Sequence, residues 1–291
     1  MAANPVVVGA DGSEESLRAV DWAAREAVLR GLPLKIVAAA AMPPRMLTRR
    51  PGSGLDTVSE TLRNERDHAL AAASERAAAA APDLQVDLEA LAGAPATGLI
   101  EAAADASMLV VGARGVGAFT QLILGSVTQY ASAHAPCPVV VVREETGSAH
   151  RQVGVGIDDP ARSAAALAFA FEEASLRKAS LIVVHAWDVP GGQIAPAVLA
   201  LATPGRPAIE QETASQLEAD LADWQGKYPD VEVSHDFVHA HPGRALVGLS
   251  GRADLVVIGR HAKHGVLPGP GAVRHAVLNH AHGPVVTVPS S

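Results

Sequence analysis

Read for the spacing of its apolar positions, the chain alternates short apolar runs with longer stretches of helical period. Val6–Gly9 is apolar throughout. A run that short and that uniform is a strand covered on both faces. From Ser16 to Arg30 the period changes, and Leu17, Val20, Ala24, Ala27 and Val28 fall on one side of a helix. Leu34–Ala39 is a second strand. Residues from Met42 to Ser59 carry Pro, Gly and Arg without a period and read as a loop, a candidate lid. Thr61–Ala81 is an Ala-rich helix stopped by Pro82. Val86–Leu91, Thr97–Ala104, Met108–Val111, Ser126–His134 and Val139–Val142 then continue as strand, helix, strand, helix, strand. The second half repeats the alternation, with strands near Val153–Ile157, Leu181–His185, Val231–Val238, Leu255–Ile258 and Val285–Val288, and a long loop at Asp188–Pro207.

The two halves are one unit written twice. At an offset of 147 residues they align without a gap over more than a hundred positions. Asp11 meets Asp158; Glu26, Ala27, Leu29 and Arg30 meet Glu173, Ala174, Leu176 and Arg177; Pro82-Asp83 meets Pro229-Asp230. Pro95, Leu99 and Gly112 meet Pro242, Leu246 and Gly259. One residue is then lost, so that Gly125 meets Gly271 and Pro138 meets Pro284. A polar stretch, Glu144–Arg151, separates the copies, which gives domains at 1–146 and 147–291.

Strand–helix alternation implies parallel sheets, so the fold class is α/β: two tandem five-stranded parallel-sheet domains of the Rossmann-like, flavodoxin-like kind. Ligands of such sheets bind beyond the carboxyl ends of the strands, where the winding reverses. The order 3-2-1-4-5, taken from this fold type, sets the first strand beside the fourth. Asp11, which follows the first, and Gly112, which follows the fourth, then flank one crevice.

Composition narrows the classes. The 291 residues are 48% hydrophobic but only 3% aromatic, which suits tightly packed Ala-rich helices on Val-rich sheets. Cys137 is the single cysteine, so no intramolecular disulfide forms and a reduced, cytoplasmic setting is expected. No basic segment precedes an apolar core at the start, so no signal peptide is expected, and no apolar run reaches the ~20 residues of a membrane span. A net charge of -8 argues against broad nucleic-acid binding, since backbone phosphates are repelled. It leaves room for a small anion in a local nest of donors.

Such a nest is written around Gly112. The residues Gly112, Gly115, Gly125 and Ser126 form the pattern G-x2-G-x9-G-S at the end of a strand. Glycines there let the backbone turn and approach a ligand, and the freed N–H groups favour a phosphate. A Gly-rich turn without a ligand writes the same residues. Asp11 accepts hydrogen bonds from a ribose or an adenine amino group, or caps the helix that begins near Ser13. Ser126 binds, caps, or does both. Arg114 reaches a phosphate or is merely solvated.

With these residues in view, the chain resembles the universal stress protein family in its tandem, actinobacterial form. Val6-Val7-Val8-Gly9-Ala10-Asp11-Gly12-Ser13, the glycine pattern and Pro136-Cys137-Pro138-Val139-Val140 carry the resemblance, which spans nearly the whole chain. It implies a nucleotide-dependent switch or scaffold in stress response and growth regulation. The implied ligand is ATP or another adenine nucleotide, with Mg2+, and the implied assembly is a homodimer built through fifth strands, with a further protein partner. By the same resemblance Asp11 meets the adenine or ribose end, Ala39 and Ala40 lie beside the base, and Gly112, Gly115, Gly125, Ser126 and Val127 surround ribose and phosphates.

The second copy departs from the pattern. Asp158, Gly259 and Gly271 remain in place, but Ala262 stands for Gly115, Ala272 stands for Ser126, and Pro268 and Pro270 remove backbone donors. A weakened, altered or empty second site is expected, with Arg260, His261 and Lys263 offering cations in partial compensation. Histidines crowd the stretch His235–His282, with His261 and His264 three apart, but no Cys or carboxylate joins them at ligand spacing, and no metal site is expected. No paired nucleophile and base and no P-loop is present. A slow ATP-hydrolysing enzyme and a nucleotide-free interaction protein therefore stand as the alternatives, with a pyrophosphatase or flavin-binding relative behind them. The two all-but-pure valine strands, Val139–Val142 and Val285–Val288, each end a copy as a potential sheet edge. They are expected to pair with each other or with another subunit.

Overall fold

The computed structural model describes residues 4–39, 55–115, 124–143, 149–158, 162–187, 206–260 and 271–290. The chain divides into two compact units, residues 1–145 with 282–289, and residues 146–281 with 290–291.

In unit 1, β1 (Val6–Ala10), β2 (Leu34–Ala39), β3 (Val86–Leu91), β4 (Met108–Gly112) and β5 (Val139–Val142) are parallel and lie in the order β3-β2-β1-β4-β5. The register sets Val6 against Leu34 on one side and against Met108 on the other. A sixth strand, β10 (Val285–Val288), joins β5 antiparallel, pairing Val285 with Val141 and Thr287 with Val139. β5 is thus hydrogen-bonded on both sides inside unit 1. The valines of β1, β4, β5 and β10 are almost wholly buried, which is why their runs are continuous rather than alternating.

The helices of unit 1 are α1 (Glu14–Arg30), α2 (Leu55–Ala80), α3 (Pro95–Ala102) and α4 (Ser126–His134). α1 starts at an N-cap, Ser13, whose hydroxyl accepts from Ser16 N, and stops at Gly31 in the left-handed region. It buries Ala19, Val20, Ala23, Ala24 and Ala27. Pro95 opens α3, a position that needs no amide hydrogen. Gly9 lets Leu99 of α3 lie on β1: a Cβ there meets both Leu99 methyls at 3.1 Å. Several of the expected bounds shift by a few residues, the start of α2 most. α2 begins at Leu55, inside the segment read as the loop Met42–Ser59, because Leu55, Val58 and Leu62 already carry the three-and-four spacing. The rest of that loop up to residue 54 lies outside the described residues, as does 188–205 of the loop read at Asp188–Pro207.

Unit 2 holds β6 (Gln152–Ile157), β7 (Ser180–Trp187), β8 (Val233–His239) and β9 (Leu255–Gly259), parallel and in the order β8-β7-β6-β9. Its helices are α5 (Ala164–Arg177), α6 (Arg206–Lys227), α7 (Pro242–Leu249) and α8 (Ala272–His280). Phe171 of α5 stacks on Trp224 and Tyr228 of the α6 end at 5.9 and 5.7 Å between ring centres. The repeat explains a second glycine–leucine pair, since a Cβ on Gly156 meets Leu246 of α7 at 2.7 Å. It also explains a shared buried ion pair. Glu26 and Glu173 are 1% and 0% exposed, and each accepts from an arginine one turn on, Arg30 at 2.6 Å and Arg177 at 2.8 Å. A carboxylate taken that far from water requires such a partner.

Candidate functional site

The site of unit 1 is assembled by the switch in strand order. β1 has β2 on one side and β4 on the other, so the carboxyl ends of β1 and β4 are neighbours. Asp11 leaves β1 there. Gly112 ends β4 there, and Gly125 opens α4 nearby, its N–H donating to Ala113 O at 2.9 Å.

Asp11 is exposed and ordered by local bonds. Its Oδ1 accepts from Ser13 N at 3.0 Å and from Ser13 Oγ at 2.6 Å. The helix cap is Ser13, not Asp11; the carboxylate steadies the residue that caps. Its other oxygen lies where a Cβ on Gly115 would sit, so the glycine loop comes directly against the carboxylate. Asp11 and Gly115 therefore share one crevice.

The three glycines do different work. A Cβ on Gly112 meets Glu15 C and O at 2.9 Å and Ser16 N at 3.1 Å. Gly112 is small because the first turn of α1 lies against it, a packing demand that the sequence pattern attributes to a ligand. Gly125 has an extended backbone, φ -61 and ψ 147, and a Cβ there finds ordinary contacts from 3.5 Å outward. The nearest of the described residues leave room for a Cβ at 125.

Gly125, not Ser126, is the N-cap of α4. Ser126 is the first helical residue and is exposed, and Val127 is half-buried. As a glycine, this N-cap supplies no side-chain bond to the helix. Its leading N–H groups thus keep their capacity for an acceptor, and they sit at the positive end of the helix dipole. α1, which also starts at this edge of the sheet, is closed by Ser13. Of two helix starts, one is sealed and one is open.

Arg114 is neither solvated nor free. Its Nη2 lies 3.5 Å from Glu15 Oε1, and its side chain is 24% exposed. Ala39 ends β2 and is half-buried; Ala40 lies outside the described residues. The residue that sequence reasoning passes over is Thr128. Its side chain is 4% exposed, and its Oγ1 donates to Gly112 O at 2.7 Å, tying the first turn of α4 to the end of β4. A hydroxyl three residues past the capping glycine is the signal that marks it.

Unit 2 keeps the frame and changes the contents. Asp158 follows β6 and accepts from Ser163 Oγ at 3.4 Å. Gly259 ends β9, and Arg260 follows it, half-buried. Gly271 caps α8 at φ 97, in the left-handed region, and Ala272 is the first helical residue. The place of Thr128 is taken by Arg274. Its guanidinium lies over Gly271, with Nη2 3.1 Å from where a Cβ would be, and its pKa is lowered by burial. A charge there cannot make the neutral bond that Thr128 makes. Residues 261–270, with His261, Ala262, Lys263, His264, Pro268 and Pro270, lie outside the described residues.

The sequence model of the universal stress protein family matches residues 3–143 and again 150–289. The chain belongs to the universal stress protein family. Universal stress protein Rv2005c of Mycobacterium tuberculosis is 37% identical over 308 residues, covering 98% of this chain and 97% of that one. Universal stress protein Rv2623 of the same organism is 33% identical over 301 residues, covering 98% and 96%. A crystal structure of a universal stress protein from Archaeoglobus fulgidus superposes over 100% of both chains with a TM-score of 0.69 at 17% identity, which is a likeness of fold. The tandem arrangement of this universal stress protein thus follows both from its own repeat and from its relatives.

Elsewhere in this universal stress protein, a groove of about 790 Å³ lies at the amino ends of β2 and β3, against Ala27, Gly31, Pro33, Ala80, Pro82 and Leu84. It is away from the glycine loop and offers no set of converging donors. Among the described residues no helix is long and apolar enough to cross a membrane. Nor do three or more His, Cys, Asp or Glu of the described set gather as metal ligands.

Proposed function

We propose that this universal stress protein binds an adenine nucleotide at the carboxyl edge of unit 1 and acts as a nucleotide-dependent switch or scaffold in stress response. The observation that carries the reading is the open start of α4 facing a glycine loop that closes on Asp11. Asp11 Oδ1, Ser13 Oγ and Thr128 Oγ1 have internal partners, whereas the N-cap of α4 supplies no side-chain bond to the first N–H groups of that helix.

The residues present fit the ligand. The N–H groups of Ser126 and Val127 and the Ser126 hydroxyl hold phosphate oxygens. Gly115 leaves room for the Asp11 carboxylate, which accepts from sugar or base. Ala39 and Ala40 present a small apolar surface for the adenine. Gly112 and Gly125 hold the loop ends, and Arg114 is released from Glu15 toward the phosphates. Among the described residues the carboxylates brought against the glycine loop are Asp11 and Glu15, the latter beside Arg114, so Mg2+ arrives with a triphosphate and is held mainly by phosphates and water rather than by a protein cage.

The second copy, from residue 147 onward after a first copy ending at 146, is the degenerate member. Asp158, Gly259, Arg260, Gly271 and Ala272 form an altered site that takes nucleotide more weakly, since Ala272 supplies no hydroxyl. The fifth-strand pairing expected of a homodimer is met by β5 and β10 of one chain. A homodimer therefore uses another surface, and a protein partner reads the nucleotide state. A cytoplasmic setting accords with the reduced, buried Cys137.

The test denatures freshly purified full-length protein and counts released nucleotide by chromatography and mass, then measures thermal shifts with ATP, ADP, AMP and cAMP, with and without Mg2+. About one adenine nucleotide per chain supports an occupied first site and a weak second. No released nucleotide and no shift with any of the four refutes the reading in favour of an interaction protein. Steady phosphate release lost in Ser126→Ala makes the protein an ATPase instead.

A further inference from the structure

The nucleotide site of unit 1 depends on two pieces of backbone that are far apart in sequence. One is the loop after β4, with Arg114 and Gly115. The other is the start of α4, with Ser126 and Val127. A phosphate gripped by both is held only if their separation is fixed. The chain between them does not have to fix it, because two hydrogen bonds do. Gly125 N donates to Ala113 O at 2.9 Å, a main-chain bond indifferent to side-chain type. Thr128 Oγ1 donates to Gly112 O at 2.7 Å, and this one depends on a side chain.

Resting on the nucleotide reading, we propose that Thr128 is a positioning residue: its buried hydroxyl latches the first turn of α4 to the end of β4 and so sets the width of the phosphate cradle. Several observations support it. Thr128 is 4% exposed, and Gly112 is buried, so the bond is out of water and no solvent molecule substitutes for it when it is lost. Gly112 itself is packed against the first turn of α1, where a Cβ would meet Glu15 C and O at 2.9 Å, and is paired with Val142 of β5. The latch therefore anchors α4 to a fixed point. Ala113 N continues the ladder to Val142 O at 2.9 Å, which holds the same point from the other side. Threonine is β-branched, so its rotamer in the first turn is one of few and the hydroxyl is pre-aimed.

The second copy supplies the contrast. The equivalent position is Arg274, whose long side chain folds back over Gly271 and makes no such bond to the end of β9. The two copies of one sequence thus differ at the residue that fixes the cradle, besides differing at Ser126 and Gly115. Position 128 is where affinity is set by geometry without any contact to the ligand.

The test compares Thr128→Val, Thr128→Ser and Ser132→Ala in the full chain. Valine keeps the shape and removes the hydroxyl; serine keeps the hydroxyl. Ser132 donates to Thr128 O at 2.7 Å inside the same helix and is 1% exposed, so Ser132→Ala perturbs α4 without touching the latch. ATP affinity is measured by calorimetry, and hydrogen exchange is read on the peptide that contains Arg114 and Gly115. Thr128→Val is expected to weaken ATP binding about tenfold, the scale of one lost buried hydrogen bond, and to speed exchange at Arg114–Gly115. Thr128→Ser is expected to stay within about threefold of wild type, and Ser132→Ala to leave affinity unchanged whatever it does to melting. Equal loss in Thr128→Val and Ser132→Ala overturns the positioning role, because α4 stability alone would then account for it. Wild-type affinity in Thr128→Val overturns it while leaving the nucleotide reading intact. If wild type binds no nucleotide, the nucleotide reading fails. Exchange at Arg114–Gly115 then decides the latch on its own, and an unchanged rate in Thr128→Val overturns it.

Discussion

Two glycines of one motif should fail in opposite ways when each is replaced by alanine. At Gly112 the new methyl arrives 2.9 Å from the Glu15 carbonyl and 3.1 Å from Ser16 N. These are main-chain atoms of the first turn of α1, and β4 on the other side is locked between β1 and β5. Neither neighbour yields cheaply. Overpacking of this kind costs about 1–3 kcal/mol. Alanine recovers about 0.5 kcal/mol of backbone entropy in a strand, so Gly112→Ala is expected to lose about 0.5–2.5 kcal/mol. At about 2–4 °C per kcal/mol for a domain of this size, unit 1 should melt about 1–10 °C lower. At Gly115 the nearest atoms to the methyl are those of the Asp11 carboxylate, the exposed end of a side chain rather than main chain. Gly115→Ala should leave stability within about 0.5 kcal/mol of wild type. It displaces Asp11 from the crevice instead, and nucleotide affinity should fall about tenfold, the effect of about 1.4 kcal/mol. The assay is urea denaturation followed by circular dichroism for both variants, with ATP titration beside it. A Gly112→Ala protein with the wild-type midpoint refutes the close-packing argument. A Gly115→Ala protein that loses stability but keeps affinity refutes the division of roles.

Three further outcomes follow from the packing. Lys178 ends α5 at φ 52, where unit 1 has Gly31 at φ 63; Lys178→Gly should stabilise unit 2 by about 0.5–1 kcal/mol, read as a raised denaturation midpoint, because a side chain with a Cβ is strained there. The Thr287 hydroxyl is fully buried in β10 without a hydrogen-bond partner among the described residues, so Thr287→Val should raise the melting temperature by the equivalent of about 1 kcal/mol, and a lowered one would show an acceptor for that hydroxyl. Removal of residues 283–291 strips β10 from β5; sedimentation should then detect self-association through the bared edge, and a monomer across micromolar concentrations would contradict this.

How much the sequence reveals depends on where each force acts. The strands were legible because Val6–Val8, Leu109–Val111 and Val139–Val142 are buried on both faces, and burial on both faces leaves no polar positions to blur the run. The neighbourhood of Asp11 and the glycine loop followed from the strand order expected of the fold. What a run of valines does not carry is direction: Val285–Val288 reads like any parallel strand and lies antiparallel to β5. Local readings were incomplete where a distant contact decides. Gly112 reads as a ligand glycine, and packing against Glu15 also keeps it small. Ser126 looked like a cap, yet Gly125 occupies that position. Arg114 looked exposed and rests on Glu15. Thr128 was invisible because its partner, Gly112 O, is sixteen residues away. The start of α2 was missed because Pro and Gly just before Leu55 masked its spacing.

The placement of β10 also bears on when unit 1 is finished during synthesis. β5 ends at Val142 and β10 begins at Val285, 143 residues later by subtraction. At about 5–20 residues per second, a ribosome needs about 7–30 s to cover that distance. Through that interval the newborn first copy carries an all-valine edge with its N–H and C=O groups unmatched. On a crowded polysome, neighbouring nascent chains offer the same edge at the same stage. The second copy is therefore more than a duplicate site; its final strand closes a gap that the first copy leaves open, and chaperone occupancy during translation should concentrate in that window.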